Sequence, residues 1–563
     1  MFRSQRRRLT TALIATAGLA LTVAACSPGE EGAGSDPTAT TQSAEGRPLV
    51  IWAGSQIPIV ANYNPFSPTV LHGALGPIYE TLFHYNKSVG GEPEGLLGES
   101  FEWAEDGRTL TVTLKEGVEW NDGEPFTADD VVYTFTHDLT SPTYLSGIEA
   151  PDEQTVVFSF EEPQYTNEFS MLGSQRIIPE HVWTEVEDAA TFTDEQPVGT
   201  GPYVVDSTSE SSYTLVANPS FRDGEVAVKE LQYLAIDQNQ SAADLLSAGQ
   251  VDWAGMFVPE PERLTEDGRL GYLNTPQDPS VLYTCANADL GCQGAQTDVA
   301  VRQALNVAID RAFINERAWA GHAAPGSPTF TLPGRDDHWV ADGMPAESPQ
   351  TADIEGARKI LEDAGYAEGS DGIYAKDGQR ASMTLTSVDG WTDYNDAATL
   401  IQEQTAEAGI EVIASTVSWN EFADSRQTGQ FELIMGGVVG PSIADPYSIY
   451  DEWIAGHATA PVGEELKPGD WNFSRYSNPE VDAAVVAAGQ TNDEAEKLDQ
   501  YAIVQEHIVN DLPYIPLVIN ATQTFFDQQD FTGWPSEDDP YAFPPSWGAT
   551  SAGVVLAKLT PAG

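Results

Sequence analysis

The sequence predicts an α/β protein. Three observations carry that prediction. Apolar runs of strand length recur along the 563 residues. Segments with a 3.6-residue apolar period separate them through the middle of the chain. Gly, Asn and Pro punctuate the junctions. Strands that alternate with helices argue for α/β lobes.

In order, Leu49-Val50-Ile51-Trp52-Ala53 reads as a buried strand. Leu110–Leu114 alternates apolar and polar residues, as a half-buried strand does. Asn121-Asp122-Gly123 marks a turn. Thr127 with Asp130 resembles a capping arrangement, and Val131–Phe135 continues the helix it would start. Thr155–Phe160 is a further strand, and Val198–Tyr203 is a Gly-rich turn leading into another. Val301, Leu305, Ala308 and Ile309 share one helical face. Ile354, Ala357, Leu361 and Ala364 share a second, ended by Gly365. A helix over Ala397–Ala408 precedes a strand at Ile410–Ile413. Asn478-Pro479-Glu480 supplies a cap, a first-turn proline and an early acid. Ile515–Ile519 reads as a buried strand.

The N-terminus predicts export. Arg3, Arg6, Arg7 and Arg8 form a basic start, and Leu9–Leu21 is apolar but too short to span a bilayer. Val23-Ala24-Ala25-Cys26 follows. Small residues before a cysteine at this place resemble the lipobox of bacterial lipoproteins. The resemblance implies cleavage after residue 25, a lipid on Cys26, and a location on the outer face of the cell membrane. An ordinary signal peptide with a chance cysteine is the alternative, and only three cysteines in the chain argue against it. Arg6-Arg7 is a weak hint of twin-arginine export rather than the general route. Residues 26–47 are poor in apolar side chains and read as a flexible tether.

Charge narrows the partners. The chain carries 86 acidic and 26 basic residues. Four of the basic residues and none of the acids precede Cys26, so a chain beginning there has 538 residues and a charge of −64. Nucleic acid is excluded as a partner at that charge. The other cysteines, Cys285 and Cys292, flank a turn-rich stretch. They form either a disulfide or two free buried thiols, and an extracytoplasmic compartment favours the first. Their spacing and the scattered histidines point to no metal and no cofactor.

Catalytic signatures are missing. The chain has no Gly-x-Ser-x-Gly, His-Glu-x-x-His, Ser-x-x-Lys or Walker loop. Carboxylate pairs could be drawn anywhere among 86 acids, so a secreted hydrolase is only a distant alternative. The expectation is a protein that is not an enzyme.

Six segments, taken together, resemble the family 5 solute-binding proteins of bacterial ABC importers, the oligopeptide/dipeptide type. The longest is Leu110–Phe135, LTVTLKEGVEWNDGEPFTADDVVYTF. The others are Val198–Tyr203, Val301–Arg311, Ala357–Gly365, Tyr476–Asp482 and Leu512–Pro516, in the family's order. The resemblance implies a two-lobed periplasmic-binding-protein fold with a hinge and an extra domain inserted in lobe 1. Mapped onto this chain, lobe 1 is 48–90, 197–283 and 515–563, the insertion is 91–196, and lobe 2 is 284–514. It also implies capture of a small ligand between the lobes and delivery to a permease and its ATPase. A monomer is expected.

Peptide-binding members hold the ligand's amino terminus with an aspartate, in a segment of the form Asp-x-x-Asp-Pro. Here Asp445-Pro446 is retained, but Ser442 stands three residues earlier. A serine cannot neutralise an ammonium, and an unpaired buried charge costs several kcal/mol. The chain also has 13 tryptophans, whose indoles can stack on sugar rings or simply pack the core. An oligosaccharide is therefore favoured over an oligopeptide, with a nickel chelate third. The candidate ligand-binding residues are Trp52, Trp253, Asn287, Trp391, Trp419, Ser442 and Tyr447.

Overall fold

The computed structural model describes residues 46–562 apart from 55, 68, 190, 441 and 468–469. Cys26, the signal peptide and nearly all of the tether lie outside the described residues. The exception is the last part of the tether. Arg47 is bonded into the fold, with Nη1 2.8 Å from Asp252, Nη2 2.8 Å from Asp530 and the guanidinium over Phe531. The 26–47 boundary is corrected accordingly, because a cation facing two carboxylates and a ring is held in place.

Two mixed sheets form the two lobes. The lobe 1 sheet has the order Leu270–Asn274, Gln523–Asp527, Trp253–Gly255, Leu49–Trp52, Glu230–Leu234, Ser212–Ala217 and Tyr203–Thr208. Leu49–Trp52 runs parallel to both Glu230–Leu234 and Trp253–Gly255. Its run of large apolar residues suits a strand in the middle of a covered sheet. The lobe 2 sheet has the order Ala324–Pro325, Tyr514–Ile519, Pro279–Thr284, Leu433–Gly437, Ser382–Val388 and Glu411–Val417. Ser382–Val388 runs parallel to both Leu433–Gly437 and Glu411–Val417.

Sheet membership corrects two boundaries. Residues 279–283 and 515–519 are expected in lobe 1, yet the strands they belong to, Pro279–Thr284 and Tyr514–Ile519, pair with each other inside the lobe 2 sheet. Both are buried at every position, so each belongs to the centre of a sheet rather than to a connection. The chain crosses between lobes at 275–278 and 520–522. These crossings are tied side by side, with Thr275 N–H donating to Thr522 O and Asn520 N–H to Asp278 O, both at 2.8 Å.

The segment between the first two lobe 1 strands builds a separate four-stranded antiparallel sheet from Gly98–Trp103, Thr109–Leu114, Thr155–Phe160 and Leu145–Asp152. Leu110, Val112 and Leu114 face its core, with the intervening threonines turned outward. The helix Ala128–Thr136 packs on it. Asp130 accepts from Thr127 N–H at 3.0 Å, from Glu180 N–H at 3.0 Å and from Trp120 Nε1–H at 3.3 Å. The most recognisable segment of the chain is thus a structural knot.

Helix signals in lobe 2 are met at Val299–Ala308, Ile354–Asp363 and Pro479–Gly489. Asn478 Oδ1 accepts from Glu480 N–H at 2.9 Å, as its cap pattern predicts. The helix expected from Ala397 begins five residues earlier, at Thr392. Cys285 and Cys292 are joined by a disulfide with Cα atoms 5.4 Å apart.

Candidate interlobe binding site

In open α/β sheets, ligands bind beyond the carboxyl ends of the parallel strands. In lobe 2, Trp391 follows the Ser382–Val388 strand and Trp419 follows Glu411–Val417. Their rings lie 5.7 Å apart, and both pack on Phe422 at 5.4 and 5.7 Å. Arg426 supports this group from below, with its guanidinium 5.5 Å from the Phe422 ring and 4.5 Å from Phe473. Trp419 is 51% exposed. An indole that open is not core.

In lobe 1, Trp547 covers the end of the Trp253–Gly255 strand. A Cβ at Gly255 would come 2.7 Å from Trp547 Nε1, so the glycine admits the indole. Trp547 packs edge-on against Phe543 at 5.5 Å. The Lys87 ammonium sits over Phe543 at 5.4 Å and 3.7 Å from Asp278. Asp278 accepts from Gly440 N–H at 2.9 Å, in the loop after the Leu433–Gly437 strand. Ser280, two residues on, shares a hydrogen bond with Tyr394 at 2.9 Å, and Tyr394 packs on Trp391. One chain of contacts therefore links the aromatic groups of both lobes through the crossing segment.

Three cavities lie along this junction. The first, of about 170 Å³, is lined by His84, Lys87, Arg176, Ser442, Phe543 and Ser551 among others. Burial pushes the Arg176 guanidinium down to about 10, with no carboxylate to offset it. Burial also pushes His84 down to about 4, so its ring is neutral, bonded to Ser551 Oγ at 3.0 Å. The second cavity, of about 350 Å³, lies at the crossings beside Asn274, Gln277, Leu332 and Ile519. The third, of about 280 Å³, lies between the inserted domain and lobe 2, beside Asn167, Tyr447, Asp451 and Glu452. Burial pushes the Glu452 carboxyl up to about 7, and the neighbouring Asp451 adds to that shift.

Asp445 is committed inside lobe 2. It accepts from Lys497 Nζ at 3.0 Å, Tyr501 Oη at 2.6 Å and Tyr447 N–H at 2.9 Å. Its charge is already paired, so a ligand ammonium would have to displace Lys497.

The predicted residues divide. Trp391 and Trp419 form the lobe 2 aromatic group, Ser442 lines the first cavity and Tyr447 the third. Three others are corrected. Trp253 is fully buried, donates to Pro544 O at 3.0 Å and packs on Trp534. Trp52 is 2% exposed and donates to Ile236 O at 3.1 Å. Each fills the lobe 1 core, because its side chain points across the sheet rather than beyond the strand end. Asn287 follows Pro279–Thr284, which runs antiparallel to Leu433–Gly437 with Thr284 opposite Leu433. It therefore lies at the opposite end of the sheet, where its side chain caps a short turn by accepting from Asp289 N–H. Sequence reasoning missed Lys87, Arg176, Phe543 and Trp547. Trp547 carried one signal, its place in a Pro-Pro-Ser-Trp-Gly turn.

A family model described as bacterial extracellular solute-binding proteins, family 5, matches residues 92–459. Protein XP55 of Streptomyces lividans is 31% identical over 424 residues, 73% of each chain. The oligopeptide-binding protein AppA of Bacillus subtilis is 26% identical over 443 residues, 74% of this chain and 76% of its own. The periplasmic oligopeptide-binding protein of a Thermotoga maritima ABC transporter superposes with a TM-score of 0.82 at 26% identity, over 92% of this chain and all of its own. The same protein with mannohexaose bound gives 0.75 at 27% identity, over 91% and 98%. On the family match, the interlobe geometry and the two sheets together, the chain belongs to the family 5 bacterial extracellular solute-binding proteins.

Proposed function

We propose that this chain is the lipid-anchored binding component of an ABC importer, capturing an oligosaccharide between its lobes and delivering it to a permease and its ATPase. The paired indoles of Trp391 and Trp419, with Trp419 half exposed beyond the strand ends, carry the reading. An indole offers a flat apolar face to the C–H face of a sugar ring. Trp547 supplies a second such face on lobe 1. The mannohexaose held by the Thermotoga relative supports the same ligand class. Closure of the lobes about the crossings at 275–278 and 520–522 would bury the ligand and present the loaded shape to the permease. No step of this role needs bond chemistry.

An oligopeptide is the second reading, favoured by the oligopeptide-binding relatives. Against it stand Ser442 in the aspartate's place and the commitment of Asp445 to Lys497. Titration calorimetry with cello-, xylo-, manno- and chito-oligosaccharides beside a pool of di- to pentapeptides separates the two. Saturable binding of a sugar is expected, and saturable peptide binding with no sugar response would reverse the choice.

A further inference from the structure

We propose that Arg176 receives a carboxylate of the captured ligand, so that the solute is an acidic one. This deepens the reading of the interlobe cleft as the binding site and rests on it.

Arg176 lines the 170 Å³ cavity where lobe 1, the inserted domain and lobe 2 meet. Among the described residues one hydrogen bond leaves its guanidinium, from Nη1 to Ser174 O at 2.6 Å. Its Nε is shielded from solvent and has no partner. Arg311 is fully buried without an acid, but it spreads its fork over Pro516 O, Pro349 O, Asn306 O and Asn306 Oδ1. Arg311 is thereby a structural clasp, and Arg176 is not. Arg176 is part-buried, and a guanidinium whose Nε is shielded from water and unpaired is costly unless something completes it.

The surroundings specify what completes it. In a chain with 86 acidic residues, no aspartate or glutamate lines this cavity among the described residues. Lys87 adds a second cation, shared with Asp278 at 3.7 Å. His84 is neutral and bonded to Ser551. Phe543 gives one apolar wall, and Ser442 adds a hydroxyl. A fork of planar donors beside a second cation, with no carboxylate lining the cavity among the described residues, fits a carboxylate held by two parallel hydrogen bonds. The volume admits one such group and not a whole oligomer. Ser442 follows the Leu433–Gly437 strand, neighbour to the Ser382–Val388 strand that leads to Trp391. A ligand anchored by its carboxylate at Arg176 therefore has its remaining units on the aromatic side of the same cleft.

Two sources present this chemistry: a uronate ring of an oligosaccharide, and the C-terminus of a peptide. Calorimetry on the purified full chain with two matched pairs tells them apart. One pair is trigalacturonate and its methyl ester. The other is a tripeptide with a free or an amidated C-terminus. In one pair the acid member is expected to bind at least tenfold tighter than its neutral partner, the scale of a charged hydrogen-bonded contact. Arg176→Gln should erase that preference, and Arg176→Lys should keep part of it. Because Arg176 has no carboxylate partner among the described residues and holds only the Ser174 carbonyl, Arg176→Gln should leave the ligand-free thermal midpoint unchanged or raise it. Equal binding of acid and neutral members by the wild type would overturn the inference while leaving solute capture standing. So would a preference that survives Arg176→Gln, or a lowered ligand-free midpoint in that variant. Failure of every member of both pairs to bind would overturn the cleft reading with it.

Discussion

Trp391 and Trp419 differ from the other candidate indoles in what truncation should do. Trp419 is half exposed, so Trp419→Ala removes little core. Ligand affinity should fall about tenfold in Trp391→Ala and in Trp419→Ala, the scale of an interface hot spot. The urea midpoint of Trp419→Ala should stay close to wild type, whereas Trp253→Ala should lose roughly 3–5 kcal/mol as a buried aromatic does. Unchanged affinity in both lobe 2 variants would take them out of the cleft. Another residue-scale outcome concerns acid. Burial pushes the Asp194 carboxyl up to about 6, while Tyr79 donates to it. A folded-state value above the unfolded one means that the folded protein binds the extra proton. The stability this contributes is present below pH 4 and is lost as pH rises through about 6. Asp194→Asn, which carries no charge, should therefore gain stability relative to wild type as pH rises from about 4 to about 6, and the gain should level off above that. Thermal melts of both across that range check it, and a constant difference would contradict the assignment.

Elements were legible where a local rule governed them. The Asn478 cap, the Thr127 and Asp130 pair and the Leu110–Leu114 alternation each follow from backbone groups and side chains a few residues apart. The indoles were not separable this way. Trp52 and Trp419 both stand at the end of a strand, yet one points across its sheet and the other beyond it. Asn287 was misplaced because strand direction, which decides the end of a sheet that a loop occupies, depends on pairings 150 residues away. Arg176 gave no signal, since the absence of an acid from its cavity is a property of the assembled lobes. The turn at 86–90 yields a prediction of its own. Gly90 has φ +70°, and a Cβ there would come 2.5 Å from the Ala444 Cβ across the lobe junction. Gly90→Val should cost about 1 kcal/mol in the turn and, by wedging the lobes, weaken ligand binding several-fold. Calorimetry beside a urea melt separates the two effects, and an affinity equal to wild type would show that the lobes do not meet there in the bound state.

At the scale of the molecule, the two sheets and the paired crossings at 275–278 and 520–522 define what moves. The two crossings are bonded to each other, so the lobes turn as bodies about one short ribbon rather than loosening separately. The Arg176 cavity and the Gly90 contact with Ala444 lie where lobe 1 meets lobe 2, and under the proposed capture by closure one motion would engage them together with the aromatic groups. The strong negative charge fits a solvated surface. It does not by itself identify the solute. The most direct test of capture by closure is small-angle X-ray scattering of the wild type and of Trp391→Ala/Trp419→Ala, with and without saturating oligosaccharide. The wild type should contract on binding, and the double variant, at the same sugar concentration, should not. Saturable binding with an unchanged radius of gyration, or equal contraction of the two proteins, would contradict it.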